Sequence, residues 1–358
     1  MKLLKSKNIT CKKSIIATAI AMSVSAFAHA GVTFTELPVS TWGGHIAVND
    51  QGTVVFSGDY SLYKWNATTG LIELGNVSWG RVARPDISID GNAIAFSNVG
   101  GDTVLYKNGV EEIIPRTTLD LGSAIKNGSL SPNGDYLLGR KMGGPGQTGN
   151  PARYNIHTSQ IDAYSELDDP STNTDFLSFQ DVSLSGEHKL FQASALSGYG
   201  YSPVVYYQEG NNEPVQIDIG YVHLGGITEN GQYVLGEDNN CNQVAMGQVS
   251  ICAALWNTST HEVTELGYFR PTSVNRDGSL VVGGGWSDQP GAKVWDSLNG
   301  TRNLTDVLQQ HGVTLTGWSD FKNLAVSPDG NYIAGYALNP AGERKPFVVN
   351  IVPECYGF

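Results

Sequence analysis

Basic residues are scarce: 22 lysines and arginines stand against 34 aspartates and glutamates in 358 residues, a formal charge of −12. Five of those lysines, Lys2, Lys5, Lys7, Lys12 and Lys13, crowd the first thirteen positions with no carboxylate beside them. A surface this acidic repels phosphate backbones, which argues against a general nucleic-acid binder. Cysteine is scarcer still, at Cys11, Cys241, Cys252 and Cys355. No histidine or cysteine partners stand near them at metal spacing, so neither a zinc site nor another metal or cofactor is expected. There is one long apolar run, Ser14 to Ala28, too short to span a bilayer comfortably. Also missing are a nucleophile elbow, a His-Glu-x-x-His helix and a phosphate loop. The glycine-rich pieces Lys141 to Gly149 and Gly283 to Trp286 precede no helical pattern and read as loops.

What is present at the N-terminus is an address. The lysine cluster, the apolar run and Ala28-His29-Ala30 form the charged region, hydrophobic region and small-x-small cleavage site of an exported protein. Residues 1–30 therefore read as a signal peptide and residues 31–358 as one mature domain, periplasmic or extracellular, with no further apolar span. Without its leader the chain keeps 17 basic residues against 34 acidic ones. An oxidising compartment makes Cys241 and Cys252, at the two ends of one loop, candidates for a disulfide, with Cys355 left over; three unpaired thiols are the alternative.

The fold is written in a repeat. Seven turns end in glycine: Asn49 to Gly52, Ile89 to Gly91, Ser131 to Gly134, Leu184 to Gly186, Thr228 to Gly231, Asn275 to Gly278 and Ser327 to Gly330. Their glycines lie 39, 43, 52, 45, 47 and 52 residues apart, near the length of a four-stranded propeller blade. An aliphatic strand follows each turn, and third strands carry Trp65, Tyr106, Tyr154, Tyr206, Trp256, Trp295 and Phe347 at matching places, where rings fill the space between blades. Fourth strands are expected at Leu71 to Leu74, Glu111 to Ile114, Ile161 to Tyr164, Val215 to Ile219, Val263 to Leu266 and Arg302 to Leu308. The seventh is missing beyond Phe347, and Val32 to Leu37 is expected to supply it, since Thr33-Phe34-Thr35-Glu36-Leu37 echoes Val263-Thr264-Glu265-Leu266. The prediction is an all-β, seven-bladed β-propeller whose last blade is closed by the N-terminal strand.

The unit Ala325-Val326-Ser327-Pro328-Asp329-Gly330, with Leu304 to Trp318 before it and Gly335 to Gly342 after it, resembles the HAF family of probable extracellular repeat proteins. The resemblance covers nearly all of the mature chain and is most faithful in the last three repeats. It implies export and a propeller-like, WD40-like fold, and it implies no activity. The chain departs from many members of that family in lacking a membrane barrel or a C-terminal sorting tail.

A ligand is expected on the face opposite the turns, where the second-to-third-strand loops lengthen: Arg140 to Pro151, Ser194 to Pro203, Glu237 to Ala253, Gly284 to Gly291 and Tyr336 to Lys345. Seven or eight residues before each turn glycine stand His45, Arg84, Lys126, Ser178, His223, Arg270 and Lys322. Six nitrogens at one register in an acidic chain predict a cationic ring, suited to an anionic small molecule or a carboxylate-bearing sugar. Trp42, Trp79, Tyr221 and Trp318 stand close by, as flat rings do in saccharide sites. The structural alternative is that these cations pair with carboxylates and the rings cap the blades. Two functions remain: a non-catalytic module binding a glycan, an anionic ligand or an envelope protein, or a polysaccharide lyase or glycoside hydrolase at the channel mouth. The lyase would draw on His45 or His223, Arg84, Arg270 and Tyr199 or Tyr201, and the hydrolase on Asp238 and Asp288.

Overall fold

The computed structural model describes residues 32–76, 85–98, 100–120, 130–141, 150–164, 176–193, 204–210, 215–217, 226–238, 252–285 and 290–351. After β1 (Thr33–Glu36), blade one is β2 (Ile46–Val48), β3 (Val54–Ser57), β4 (Ser61–Asn66) and β5 (Gly70–Asn76). Blade two is β6 (Asp86–Ile87), β7 (Ala93–Ser97), β8 (Thr103–Lys107) and β9 (Val110–Ile114), and blade three is β10 (Tyr136–Lys141), β11 (Asn150–Asn155) and β12 (Ile161–Ala163). Blade four is β13 (Phe176–Val182), β14 (His188–Ala193), β15 (Val204–Gln208) and β16 (Val215–Gln216). Blade five is β17 (Gly226–Ile227), β18 (Tyr233–Asp238), β19 (Cys252–Asn257) and β20 (Val263–Gly267). Blade six is β21 (Arg270–Val274), β22 (Leu280–Gly284), β23 (Ala292–Asp296) and β24 (Gly300–Asn303). A helix, α1 (Leu304–Gln310), then leads to β25 (Ser319–Val326), β26 (Tyr332–Leu338) and β27 (Arg344–Asn350) of blade seven.

The seven antiparallel sheets form the ring of a seven-bladed propeller. Strand β1 lies at the outer edge of the last sheet, with Thr33 opposite Asn350 and Glu36 opposite Phe347. It covers an edge of β27 that would otherwise present unpaired N–H and C=O groups. Among the described residues blade three has three strands, its innermost position marked by isolated bridges from Asp120 to Arg140 and from Leu130 to Leu137.

One local device builds every inner hairpin. Three residues before each turn glycine stands Asn49, Ser88, Ser131, Ser183, Thr228, Asn275 or Ser327, and each is buried. Its carbonyl accepts the glycine N–H at 2.8–3.2 Å in all seven turns. Its side-chain oxygen accepts a second N–H where the next strand begins, as Ser131 Oγ does from Tyr136 and Asn275 Oδ1 from Leu280, both at 2.9 Å. The glycine must then take φ between 69° and 78°, a conformation that L side chains rarely adopt.

Packing energy sits between the blades. Seven hydrophobic clusters occupy the seven seams, each drawing on two neighbouring sheets. The third-strand aromatics belong to them: Phe347 fills the seam between blades six and seven, and Tyr206 and Trp256 meet edge to face at 5.5 Å between blades four and five.

Two expectations are corrected. Arg302 to Leu308 is not a strand throughout, because β24 stops at Asn303 and Leu304–Gln310 is helical. Leu304, Val307 and Leu308, spaced three and four apart, bury one helical stripe in the seam between blades six and seven. The loop placed at Tyr336 to Lys345 is also shorter, since pairing of β26 with β27 extends to Leu338 opposite Arg344.

Candidate functional site

The innermost strands enclose a cavity of about 140 Å³ to which all seven blades contribute. Four residues before the turn glycines, Val48, Ile87, Leu130, Ile227, Val274 and Val326 form an aliphatic collar around it. One position earlier the character alternates. Asp86 Oδ2 accepts the N–H of Leu130 in the next blade at 3.2 Å, Asp181 Oδ2 accepts that of Ile227 at 2.8 Å, and Ser273 Oγ accepts that of Val326 at 3.2 Å. Burial pushes the Asp86 carboxyl up to about 6 against the pull of its two backbone donors. For Asp181, burial, joined by the charges of Asp86 and Glu229, pushes it up to about 8.

On the turn side of this layer, ion pairs tie the blades together. Arg276 of blade six reaches Glu229 of blade five with Nε and Asp50 of blade one with Nη2, the latter at 2.8 Å. Asp50 also accepts the N–H of Asp329 from blade seven at 2.7 Å. Backbone bonds add ties from Ile89 to Pro132, Leu184 to Glu229 and Arg276 to Pro328, at 2.7–2.9 Å.

The opposite, upper rim is different in kind at the seam between blades seven and one. Trp42 is 81% exposed. Its backbone is fixed, the N–H donating to Asp59 Oδ1 at 2.8 Å and the Gly43 N–H donating to Thr41 Oγ1 at 3.2 Å. Gly43, at φ 91°, passes so close to the stems of Arg344 and Lys322 that a Cβ there would stand 3.1 Å from Arg344 Cδ and 3.7 Å from Lys322 Cε. Strand β25 breaks register twice here, between Ser319 and Lys322 and between Lys322 and Ala325. Asp320 and Asn323 take left-handed φ values of 48° and 51°, and Asn323 Nδ2 donates to the Gly44 carbonyl at 2.9 Å. Left-handed, bulged backbone of this kind re-aims side chains at strand ends. Here it brings Lys322 and Arg344 together on the Asp320 carboxylate, with Gly43, the residue after the open Trp42, against their stems.

Of the residues selected from sequence, Trp42 and Lys322 share this patch, and His45 lies next to it, its carbonyl accepting the Tyr336 hydroxyl at 3.1 Å. Trp318 turns inward, edge-on to Phe34 at 4.8 Å. Arg270 Nε stands 3.2 Å from the buried Glu237. None of these five lines the central cavity. Arg84, Lys126, His223, Trp79, Tyr221, Tyr199, Tyr201, Asp288 and Cys241 lie outside the described residues. Cys252 is buried at the start of β19 opposite Asp238, itself buried. Arg344 and Asp320 were not anticipated, and neither were Asp86 and Asp181. For the last two a signal existed: aligned on the turn glycines, the fifth position back reads Asp86, Asp181 and Ser273 in alternate blades.

No protein-family model matches the sequence, and no curated protein does. Solved structures do. An oligogalacturonate lyase in complex with manganese aligns over 90% of this chain and 91% of its own, with 12% identity and a TM-score of 0.55. The oligogalacturonate lyase of Vibrio parahaemolyticus aligns over 91% and 98%, with 12% identity and a TM-score of 0.57. The Cps50 (Swd1) β-propeller domain of Myceliophteria thermophila aligns over 88% and 99%, with 13% identity and a TM-score of 0.52. At such identities the likeness is one of architecture: this chain is similar to enzymes and to a β-propeller domain of another kind alike, and the likeness shows the propeller fold.

Proposed function

We propose that the chain is an exported, non-catalytic binding propeller that holds an acidic glycan, or another carboxylate-bearing ligand, on the upper rim between blades seven and one. The observation that carries this reading is the exposed Trp42, whose chain neighbour Gly43 packs on the stems of Lys322 and Arg344 next to a doubly bulged strand. A sugar ring lies flat on an indole, and a uronate carboxylate pairs with the neighbouring ammonium and guanidinium, giving the apolar-plus-charged recognition such ligands need. Export rests on the N-terminal segment and on Cys241 with Cys252, which we place in a disulfide. The narrow inner cavity supports a rim site over a channel site, because a collar of aliphatic side chains leaves a space of about 140 Å³.

Titration of the mature protein, expected to begin at Gly31 and to hold Cys241 and Cys252 oxidised, with a uronic-acid oligomer tests the reading. Trp42→Ala and Lys322→Ala are each expected to weaken binding roughly tenfold, and Asn133→Ala on the turn face is expected to leave it unchanged. Equal loss from both faces removes the rim site. Release of an unsaturated uronate from the oligomer, read by its ultraviolet absorbance, would replace the binder with a lyase, the activity of the two enzymes that share this fold.

A further inference from the structure

Lys322 and Arg344 already hold a carboxylate, and it belongs to the protein. Asp320 Oδ2 takes the Arg344 guanidinium and lies 3.6 Å from Lys322 Nζ. A second guanidinium nitrogen, Nη1 of Arg344, donates to the Asp320 carbonyl at 3.3 Å. The Asp320 side chain is nonetheless half exposed, so solute can approach the ion pair from outside. Partial burial works against its charge, but the Arg344 bond and the positive charges of Arg344 and Lys322 outweigh it and keep the carboxyl below its ordinary range.

We propose, building on the reading of this rim as an acidic-ligand site, that Asp320 sets the site's affinity as a resident stand-in for the ligand's carboxylate, which the ligand must displace from Lys322 and Arg344. A bare carboxylate only exchanges one ion pair for an equivalent one, and it competes against a group tethered at high local concentration. A ligand that brings a flat sugar face as well gains contact with Trp42, and that surplus decides occupancy. The rim therefore ignores small organic acids at ordinary concentrations without a wall to exclude them. Neutral sugars do not meet the stand-in at all, so changing Asp320 leaves their binding where it was.

The test compares the mature protein with Asp320→Asn, which keeps the side-chain shape and tolerates left-handed φ but lacks the charge. The probes are an oligogalacturonate, acetate and a neutral oligosaccharide, followed by calorimetry. Asp320→Asn is expected to bind oligogalacturonate and acetate each roughly tenfold more tightly, with neutral binding unmoved. Asp320→Gly, free of strain at φ 48°, repeats the comparison if the asparagine variant does not fold. Equal affinity of wild type and variant for oligogalacturonate overturns the stand-in and leaves the rim site intact. Tighter acetate binding by the variant, with no oligogalacturonate binding by either protein, keeps the stand-in and overturns the glycan reading. No binding of any probe by either protein overturns both.

Discussion

Asp86 and Asp181 show how a single side chain can tie two blades at a cost that depends on pH. Each carboxyl accepts an N–H across a seam, yet each faces the narrow central cavity and is held up, to about 6 and about 8. A carboxyl whose folded value is raised favours the folded state most when both states are protonated. That contribution is lost as pH climbs from the unfolded value near 4 to the raised folded value. Stability against urea is therefore expected to decline between about pH 4 and pH 8 by roughly 2–4 kcal/mol, less than the full shifts imply because the cavity admits solvent. Asp181→Ser, which borrows the chain's own solution at Ser273, is expected to flatten much of that slope; an unchanged slope would place the titration elsewhere. At this scale the sequence was only partly legible. Trp42 and Lys322 could be singled out by register. Arg344 and Asp320 join them only through the pairing of β26 with β25 and β27 and through two bulges, and neither is visible in spacing.

Strands were legible wherever the interactions that make them are short-ranged. Ser131 to Tyr136 and Ser327 to Tyr332 carry their hairpins within six residues, because a side-chain acceptor, a carbonyl and a left-handed glycine all act locally. The fourth strand of blade six was misjudged for the opposite reason. Arg302 to Leu308 is aliphatic enough for either period, and what decides is the seam that Leu304, Val307 and Leu308 enter together. Leu308→Ala is accordingly expected to cost about 2–4 kcal/mol of unfolding free energy, whereas a polar change at the exposed Gln309 should cost little. A loss below about 0.5 kcal/mol at Leu308 would mean that the helix rests on the seam without holding it. Gly283 offers a similar lesson in close approach. A Cβ there would lie 2.1 Å from the Arg270 carbonyl oxygen, a backbone atom that cannot swing aside, so β21 and β22 depend on that glycine.

Across the whole molecule, the ties between blades at the lower mouth come in twos. Among the described residues, backbone bonds at the lower mouth join blades two and three, four and five, and six and seven, and the Asp86, Asp181 and Ser273 bonds fall at the same three seams. Seven is odd, and blade one is the remainder. Asp50 and Arg276 bind it in, the first to blade seven and the second across to blades five and six. Arg276→Ala leaves two partly buried carboxylates without their shared cation. It is expected to lower stability by about 1–3 kcal/mol, the half-exposed guanidinium keeping the loss below that of a fully buried pair. Thermal unfolding measures this, and an unshifted midpoint would show that the seam clusters, with the Tyr336, Asn323 and Tyr106 bonds to blade one, hold it without Arg276.

The antiparallel pairing of β1 with β27 carries a mechanical consequence. Thr33 lies opposite Asn350, so the segments leading into β1 and out of β27 depart from the same end of that ladder. Tension applied to both would peel it open one pair after another, like a zip, instead of loading every bond at once. A propeller held by its two tails would thus yield under little force, and at the outer edge of its last blade.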